Sequence, residues 1–237
     1  MGREPRISPQ WSISRFTILL ISLCLCGFSA QAKDILTVAV ASSLYPAMQQ
    51  QVASFEKEHD VQVRLISGST GRLYNQIIQG APFDLFIAAD EIRPARLVEQ
   101  SKVIAEGKVG QGYLGVKSGG LILPELKLLN ASSIQRIAIP NPDVAPFGQA
   151  ARAALEELGL WNTLKAKLVY TQNAMQASMM VEQGLVNAGF VPLVSSEHAI
   201  AVIHYQGVVL TDKRLALYLL KYVAAQDDMP ATLASAH

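Results

Sequence analysis

The chain has 237 residues, half of them hydrophobic, and a formal net charge of +1 at pH 7. A nearly neutral chain without a basic run lacks the positive patch that nucleic-acid binding requires, so we expect no nucleic-acid partner. Both cysteines, Cys24 and Cys26, lie near the N-terminus, which excludes a disulfide framework, a thiol nucleophile and a thiolate metal site in the rest of the chain.

Residues 1–32 have the sequence pattern of an export signal. A start with three arginines precedes an apolar segment at 17–29, and Ala30-Gln31-Ala32 has the small residues of a cleavage site. The apolar segment is shorter than the roughly 20 residues that span a bilayer, which argues against the alternative of a membrane anchor. We therefore predict a signal peptide and localisation in the periplasm.

Behind this segment, predicted strands and helices alternate, as is typical of an α/β fold with a largely parallel sheet. The strand patterns lie at 35–41, 61–66, 84–88, 112–116, 136–139, 168–170, 188–193, 201–204 and 207–210. The helical patterns lie at 44–60, 70–79, 92–100, 149–158, 174–183 and 214–224. Residues 102–129 are the least regular, and we expect the strand at 112–116 to lead out of a first lobe.

Two of the predicted strand-to-helix turns carry neutral hydroxyls. Ser42 and Ser43 follow the first strand, while Ser69 and Thr70 lie in the glycine-flanked turn 67–71 after the second. A helix N-terminus presents unpaired N–H donors and a partial positive charge, and glycine lets backbone approach a ligand. Each hydroxyl taken singly is better explained as a helix cap. Because the two turns occur together, each after a buried strand, they indicate an anion site.

Two further turns, 145–148 and 172–174, follow strands in the second half of the chain. In open α/β sheets ligands lie beyond the carboxyl ends of the strands, so four turns can surround one ligand. The four turns contain no carboxylate. A site that only donates hydrogen bonds favours a fully ionised tetrahedral oxyanion, such as sulfate or molybdate, over an anion that keeps a proton.

An exported hydrolase of phosphate or sulfate esters is the alternative of another class. Its nucleophile would be Ser43 or Thr70, which needs a positioned base, usually a histidine. The four histidines lie in no recognisable motif, and we interpret Asp84 and Asp90 as turn and cap residues. No His/Asp/Glu cluster has metal-ligand spacing. We therefore predict no catalytic residue, no cofactor and no metal ligand.

Several segments resemble the periplasmic molybdate-binding proteins that serve ABC importers. They are 38–44, 67–71, 79–90, 137–142 with 145–148, and 188–191, and the segment 79–90 is the most specific. The resemblance extends over 35–195 and is weaker at 102–129. It implies an exported protein that captures molybdate or tungstate and delivers it to the membrane permease of an ABC transporter.

The resemblance also implies a two-lobed α/β fold of the periplasmic-binding-protein type. Each lobe is expected to be a mixed sheet flanked by helices, with the ligand cleft between the lobes and closure by a hinge motion. We predict lobe I at 33–113 and 206–237, lobe II at 114–205, and a monomer. The residues after Ala224 depart from the usual closing segment of the family. A protein that kept the fold as an interaction module without a ligand is therefore a further alternative.

Carried over residue by residue, the ligand positions implied by the resemblance are Ser43, Thr70, Phe147 and Ala174. Phe147 and Ala174 would act through their backbone N–H groups, and molybdenum would be bound as its oxyanion rather than as a cation. Ser42 is expected to add a contact, and Ser69 is the alternative to Thr70 as the source of the second hydroxyl. The chain departs from the family at Thr70, where serine is commoner, and at Pro192, where one branch has a ligand-binding tyrosine.

Overall fold

The computed structural model describes residues 33–226 and the isolated Gly2. The rest of the predicted signal peptide and the tail at 227–237 lie outside the described residues. No helix in the described part of the chain combines the length and the hydrophobicity that a membrane span needs.

Strands and helices alternate along most of the described chain. The strands are β1 (Asp34–Ala41), β2 (Val61–Gly68), β3 (Leu85–Ala88), β4 (Ala105–Ser118), β5 (Leu121–Ile122), β6 (Ile137–Pro140), β7 (Leu168–Thr171), β8 (Ala188–Leu193) and β9 (Ala201–Val209). The α-helices are α1 (Tyr45–Glu58), α2 (Thr70–Ile78), α3 (Ile92–Glu99), α4 (Pro146–Glu157), α5 (Trp161–Leu164), α6 (Ala174–Glu182) and α7 (Arg214–Ala224). Short 3₁₀ turns lie at Ser42–Leu44, Leu126–Asn130 and Lys165–Lys167.

The strands form a mixed sheet in the order β2-β1-β3-β9-β4-β8-β6-β7, with β5 paired to β4. At one end β1 pairs in parallel with β2 and β3, and at the other end β6 pairs in parallel with β7 and β8. Strands β4 and β9 are antiparallel to each other and to their outer neighbours. Two parallel groups are thus joined through one antiparallel pair.

Hydrophobic side chains cover both faces of the strands. Alternate residues of β1 point to opposite faces, so Val38 packs into one core together with Phe55 of α1, while Ala39 packs into another together with Leu73 of α2. Burying one such large side chain stabilises the fold by about 1.5–3 kcal/mol. Burial on both faces explains why β1 and β3 have near-continuous hydrophobic sequences.

The two central strands are longer than predicted. Strand β4 covers 105–118 instead of 112–116, and β9 is one strand where two short ones were expected. Half of this ladder is exposed on one face, so its sequence contains charged residues and lacks a hydrophobic run. Gly207 lies in the middle of β9 because a Cβ there would lie 2.4 Å from Leu220 Cδ1 of α7.

Helix α4 begins at Pro146, three residues before the predicted start at 149. Proline has its φ angle fixed for a first helical position, where the missing N–H costs nothing. Gly148, two residues after Pro146, packs closely on the end of β6. A Cβ at this position would lie 2.0 Å from the Pro140 carbonyl oxygen, so only glycine fits without a shift. The earlier start places Phe147 in the first helical turn, where N–H groups have no partner within the helix.

Candidate anion-binding site

A small cavity brings all six predicted ligand residues together. They are Ser42, Ser43, Ser69, Thr70, Phe147 and Ala174. The other lining residues are Ala41, Gly68, Ala145 and Pro146, which lie in or next to the predicted turns, and Ala89, which was not predicted as a ligand residue. The cavity is narrow in this arrangement, with room for about one water molecule. No charged side chain is among the lining residues.

The sheet places the four turns at this cavity. Strands β1 and β2 are parallel and end level with each other, because Ala41 is paired with Gly68. Strands β6 and β7 are also parallel and level, since Pro140 is paired with Thr171. The cavity therefore lies beyond the carboxyl ends of both parallel groups, as is usual for ligand sites in open α/β sheets.

The hydroxyl of Ser43 is buried and its acceptor side is occupied. Only 2% of the residue is exposed, and its Oγ accepts a hydrogen bond of 3.1 Å from the Tyr205 hydroxyl. Burial raises the pKa of Tyr205 above its usual value, so the phenol keeps the proton that it donates. The Ser43 hydroxyl proton is then left for another acceptor.

The Thr70 hydroxyl also accepts a hydrogen bond while buried, in this case from a backbone N–H. Its side chain is 1% exposed, and its Oγ1 accepts a hydrogen bond of 3.0 Å from the Ala89 N–H, which follows β3. A hydroxyl carries one proton besides its acceptor lone pairs, so the Thr70 O–H is available as a donor. Two hydroxyls from different turns are thus each fixed by one accepted hydrogen bond and keep a proton to donate.

Ser69 lies at the N-cap position of α2, but its side chain makes no capping hydrogen bond. Its Oγ is buried and has no hydrogen-bond partner among the described residues. Leaving such a group unpaired costs about 1–3 kcal/mol. The helix-cap explanation, which the sequence favoured for single serines, is therefore wrong for Ser69, and this hydroxyl remains free for a ligand.

Two further lining residues, Phe147 and Ala174, lie in the first turns of helices, where backbone N–H groups have no helical partner. Phe147 follows Pro146, which has no N–H, so it supplies the first donor of α4. Ala174 is the first residue of α6. The side-chain Oδ1 of the cap residue Asn173 accepts a hydrogen bond of 2.9 Å from Gln176 N. The N–H of Ala174 has no partner within its own helix, because the first N–H groups of a helix lack one.

Two arginines that lie close in sequence to lining residues, Arg72 and Arg93, have partners outside the lining. Arg93 forms an ion pair with Asp90, whose other carboxylate oxygen accepts a hydrogen bond of 2.9 Å from Arg93 N at the start of α3. Arg72 donates a hydrogen bond of 3.2 Å to Gln172 Oε1. Asp90 is thus a helix-start residue, as interpreted from the sequence, and neither arginine is a lining residue.

Asp84 is a structural residue beside β3. Its buried carboxylate accepts hydrogen bonds from Thr37 N at 2.8 Å, Thr211 Oγ1 at 2.9 Å and Lys213 Nζ at 3.1 Å. These bonds tie the segment before α7 to the first strands. The geometry agrees with the interpretation of Asp84 as a turn residue and gives it no contact with the cavity.

One backbone hydrogen bond joins residues that directly neighbour lining residues of two different turns. The Gly71 N–H in the first turn of α2 donates a hydrogen bond of 2.8 Å to the Val144 carbonyl before α4. A Cβ at Gly71 would lie 2.8 Å from the same oxygen, so only glycine allows this approach without a shift. The turn at 67–71 is therefore held directly against the turn at 145–148.

Within residues 33–226, neither Ser43 nor Thr70 is paired with the histidine base that a hydrolytic nucleophile needs. Ser43 and Thr70 are hydrogen-bonded to a tyrosine and to a backbone amide rather than to a histidine. His198 and His204 are exposed, and His59 packs against the Phe55 ring at 4.2 Å. Among the described residues no group of three His, Cys, Asp or Glu side chains is placed to hold a metal ion. The geometry supports binding by hydrogen-bond donors.

Fold and site together define a binding protein, and comparison with known proteins identifies its family. Residues 36–227 match the family described as bacterial extracellular solute-binding protein. The chain belongs to this family.

Two relatives indicate which kind of solute-binding protein the chain resembles. The chain is 34% identical over 188 residues to the molybdate-binding protein ModA of Azotobacter vinelandii, covering 78% of this chain and 74% of that protein. It is 31% identical over 180 residues to YvgL of Bacillus subtilis, a putative ABC transporter substrate-binding lipoprotein, covering 73% of this chain and 69% of that one.

A solved structure gives the same result. The periplasmic molybdate-binding protein of Azotobacter vinelandii superposes with a TM-score of 0.76 at 26% identity, covering 84% of this chain and 97% of that chain. The two-lobed α/β fold of a periplasmic binding protein, expected from the sequence, is confirmed. These relatives are solute-binding proteins rather than enzymes, and the extracellular family supports export.

Proposed function

We propose that the protein captures molybdate or tungstate in the periplasm and delivers it to the permease of an ABC importer. One observation carries this proposal: the buried hydroxyls of Ser43 and Thr70 each accept one hydrogen bond from the protein, which leaves the proton of each available to the cavity that they line. The unpaired Ser69 hydroxyl and the N–H groups of Phe147 and Ala174 add donors. The relatives named as molybdate-binding support the choice of anion.

Such a lining selects the charge state of the ligand. A dianion with four acceptor oxygens suits a lining of hydroxyls and N–H groups, whereas hydrogen phosphate brings a proton that is best accepted by a carboxylate. No carboxylate lines the cavity. Charge-assisted hydrogen bonds are about twice as strong as neutral ones, so aimed dipoles hold the anion without a cation.

The proposal includes the division into lobes. We place lobe I at 33–113 and 206–237 and lobe II at 114–205, with the chain crossing between them in β4 and β9. Two donor turns then belong to each lobe, and ligand binding favours the closed arrangement. The signal peptide at 1–32 would direct the protein to the periplasm, where it would act as a monomer without turnover.

Isothermal titration of the purified protein with molybdate, tungstate, sulfate and phosphate tests the proposal. We expect tight binding of molybdate and tungstate, weak binding of sulfate, and no binding of phosphate. At a ligand concentration of 100 Kd, native-state binding adds about 2.7 kcal/mol to the free energy of unfolding, so the Tm rises as well. Absence of both heat and thermal stabilisation with molybdate would contradict the proposal, and ester hydrolysis that is lost in Ser43→Ala would replace it with the hydrolase.

A further inference from the structure

We propose that Tyr205 is a positioning residue that turns the Ser43 hydroxyl proton toward the bound anion and thereby lowers the affinity of the site for oxyanions that carry a proton. This inference rests on the proposed function, since it concerns how that site chooses its ligand. Tyr205 lies on β9 and is 162 residues away from Ser43 in the sequence. It is not a residue of the cavity lining.

The hydrogen bond between the two hydroxyls has one possible direction. Tyr205 is 3% exposed, and a buried phenol proton needs an acceptor. In the described part of the chain Ser43 Oγ, at 3.1 Å, is the acceptor available to it. The reverse direction would leave the phenol proton buried without a partner. Ser43 therefore accepts from Tyr205 and has its own proton to donate.

This direction decides which anions Ser43 can serve. With one lone pair occupied by Tyr205, the Ser43 hydroxyl presents its proton to the ligand. Without the phenol, the hydroxyl is free to rotate, and its oxygen can accept the proton of hydrogen phosphate. Tyr205 thus occupies one acceptor lone pair of Ser43 without being a lining residue, and this favours the orientation in which Ser43 donates to the ligand.

The position of the phenol is itself built into the sheet. A Cβ at Gly112 of β4 would lie 2.4 Å from Tyr205 Oη and 2.9 Å from two ring carbons. The glycine therefore provides the space that the phenol occupies. Tyr205 also faces Gly110, next to the register shift between Lys108 and Gly110 in the β4–β9 ladder. The strand pair that joins the two parallel groups fixes the ring in its place.

The test compares anion affinities by isothermal titration in wild type and Tyr205→Phe. We expect molybdate affinity to fall about tenfold, the effect of about 1.4 kcal/mol, because the freed Ser43 hydroxyl loses its orientation. We also expect phosphate binding to strengthen, so that the ratio of molybdate to phosphate affinity falls by more than tenfold. Tyr113→Phe is the matched control, because its hydroxyl bonds to Gln111, and it should match wild type within about twofold.

A double-mutant cycle separates positioning from a merely structural role. In a Ser43→Ala background, Tyr205→Phe should weaken molybdate binding by less than about twofold, because the hydroxyl that it orients is gone. Combined with Thr70→Ala, its effect should multiply, since Thr70 is held by Ala89 N. Gly112→Ala, which displaces the phenol, should lower the same affinity ratio and gives a second route if Tyr205→Phe folds poorly.

The outcomes distinguish this inference from the proposed function. If wild type binds no molybdate, the proposed function fails and the inference fails with it. If wild type binds molybdate but Tyr205→Phe keeps the same ratio of affinities, or weakens both anions equally, the inference alone is overturned. It is also overturned if the effects of Tyr205→Phe and Ser43→Ala multiply.

Discussion

Among single residues, Thr70 combines two hydrogen-bonding roles in one hydroxyl. Its Oγ1 accepts from the Ala89 N–H, and its proton is free for the anion. Thr70→Ala should weaken molybdate binding by about tenfold or more and should lower the free energy of unfolding by about 1–3 kcal/mol, because the Ala89 N–H loses its partner. Titration and urea unfolding measure the two effects.

Thr70→Ser is the control for both effects. It keeps the hydroxyl and removes only a methyl group, so it should bind molybdate nearly as well as wild type and should unfold close to the wild-type midpoint. A Thr70→Ser variant as weak as Thr70→Ala would show that the methyl group, and not the hydroxyl, is what the site needs.

Unlike Thr70→Ala, Ser69→Ala should weaken molybdate binding without lowering the free energy of unfolding. Its buried Oγ has no partner among the described residues, so Ser69→Ala removes an unsatisfied group. The ligand-free variant should be as stable as wild type or more stable by up to about 1 kcal/mol, while molybdate affinity falls about tenfold. Thermal unfolding without ligand, followed by titration, measures both.

Ser67→Ala is the matched control for Ser69→Ala, because Ser67 lies near the end of β2 and is exposed. It should change neither the unfolding temperature nor the affinity. A clear loss of stability in ligand-free Ser69→Ala would mean that the hydroxyl has a structural partner, and the proposed role in ligand binding would then lose its support.

At the scale of elements, the first turn of α2 is held against the turn before α4. A methyl group at Gly71 would lie 2.8 Å from the Val144 oxygen and 3.0 Å from its Cα, both of them backbone atoms. Gly71→Ala should therefore keep the two turns apart and weaken molybdate binding at least tenfold, while the helix itself gains about 1 kcal/mol from alanine. Titration and circular dichroism check the two parts, and wild-type affinity in this variant would contradict the closed contact.

The sequence predicted elements where hydrophobic periodicity is strong and missed them where exposure weakens it. Strands β1 and β3 are buried on both faces and were predicted within one residue. The extra length of β4 was missed, because the exposed face of its first half carries Glu106 and Lys108. The start of α4 at Pro146 was missed because proline and glycine were interpreted as turn residues.

The residues of the site also divide into those that local sequence patterns predict and those that they do not. The four hydroxyl-bearing lining residues, Ser42, Ser43, Ser69 and Thr70, lie in short local motifs that a sequence displays directly. Tyr205 is different, because its contact with Ser43 depends on the pairing of β4 with β9 and on the space left by Gly112. No pattern near Tyr205 predicts that contact. Resemblance selected Phe147 and Ala174, since backbone donors leave no mark in side-chain chemistry.

In the whole molecule, Asp84 joins the segment before the last helix to the first strands. Its carboxylate is buried and accepts from Thr37 N, Thr211 Oγ1 and Lys213 Nζ. Asp84→Ala should lower the free energy of unfolding by about 3 kcal/mol, because it leaves the Thr37 N–H without this partner and breaks the ion pair. Below the new unfolding temperature, molybdate affinity should stay at the wild-type value, because Asp84 is not a lining residue.

Urea unfolding and titration of Asp84→Ala check this separation of stability from binding. Asp212→Ala, which changes a neighbouring exposed aspartate, is the matched control and should leave the free energy of unfolding within about 0.5 kcal/mol of wild type. A loss of affinity in folded Asp84→Ala would show that the chain's return to the first strands also shapes the site.

The contact between the turns at 67–71 and 145–148 has a consequence for unloading. Donors to the proposed anion come from both sides of this contact, with Ser43 and Thr70 on one side and Phe147 and Ala174 on the other. Separation of the two sides would withdraw the proposed donors of one side from the anion in one movement. A transporter that separates them would therefore weaken the hold on the anion without altering any donor group.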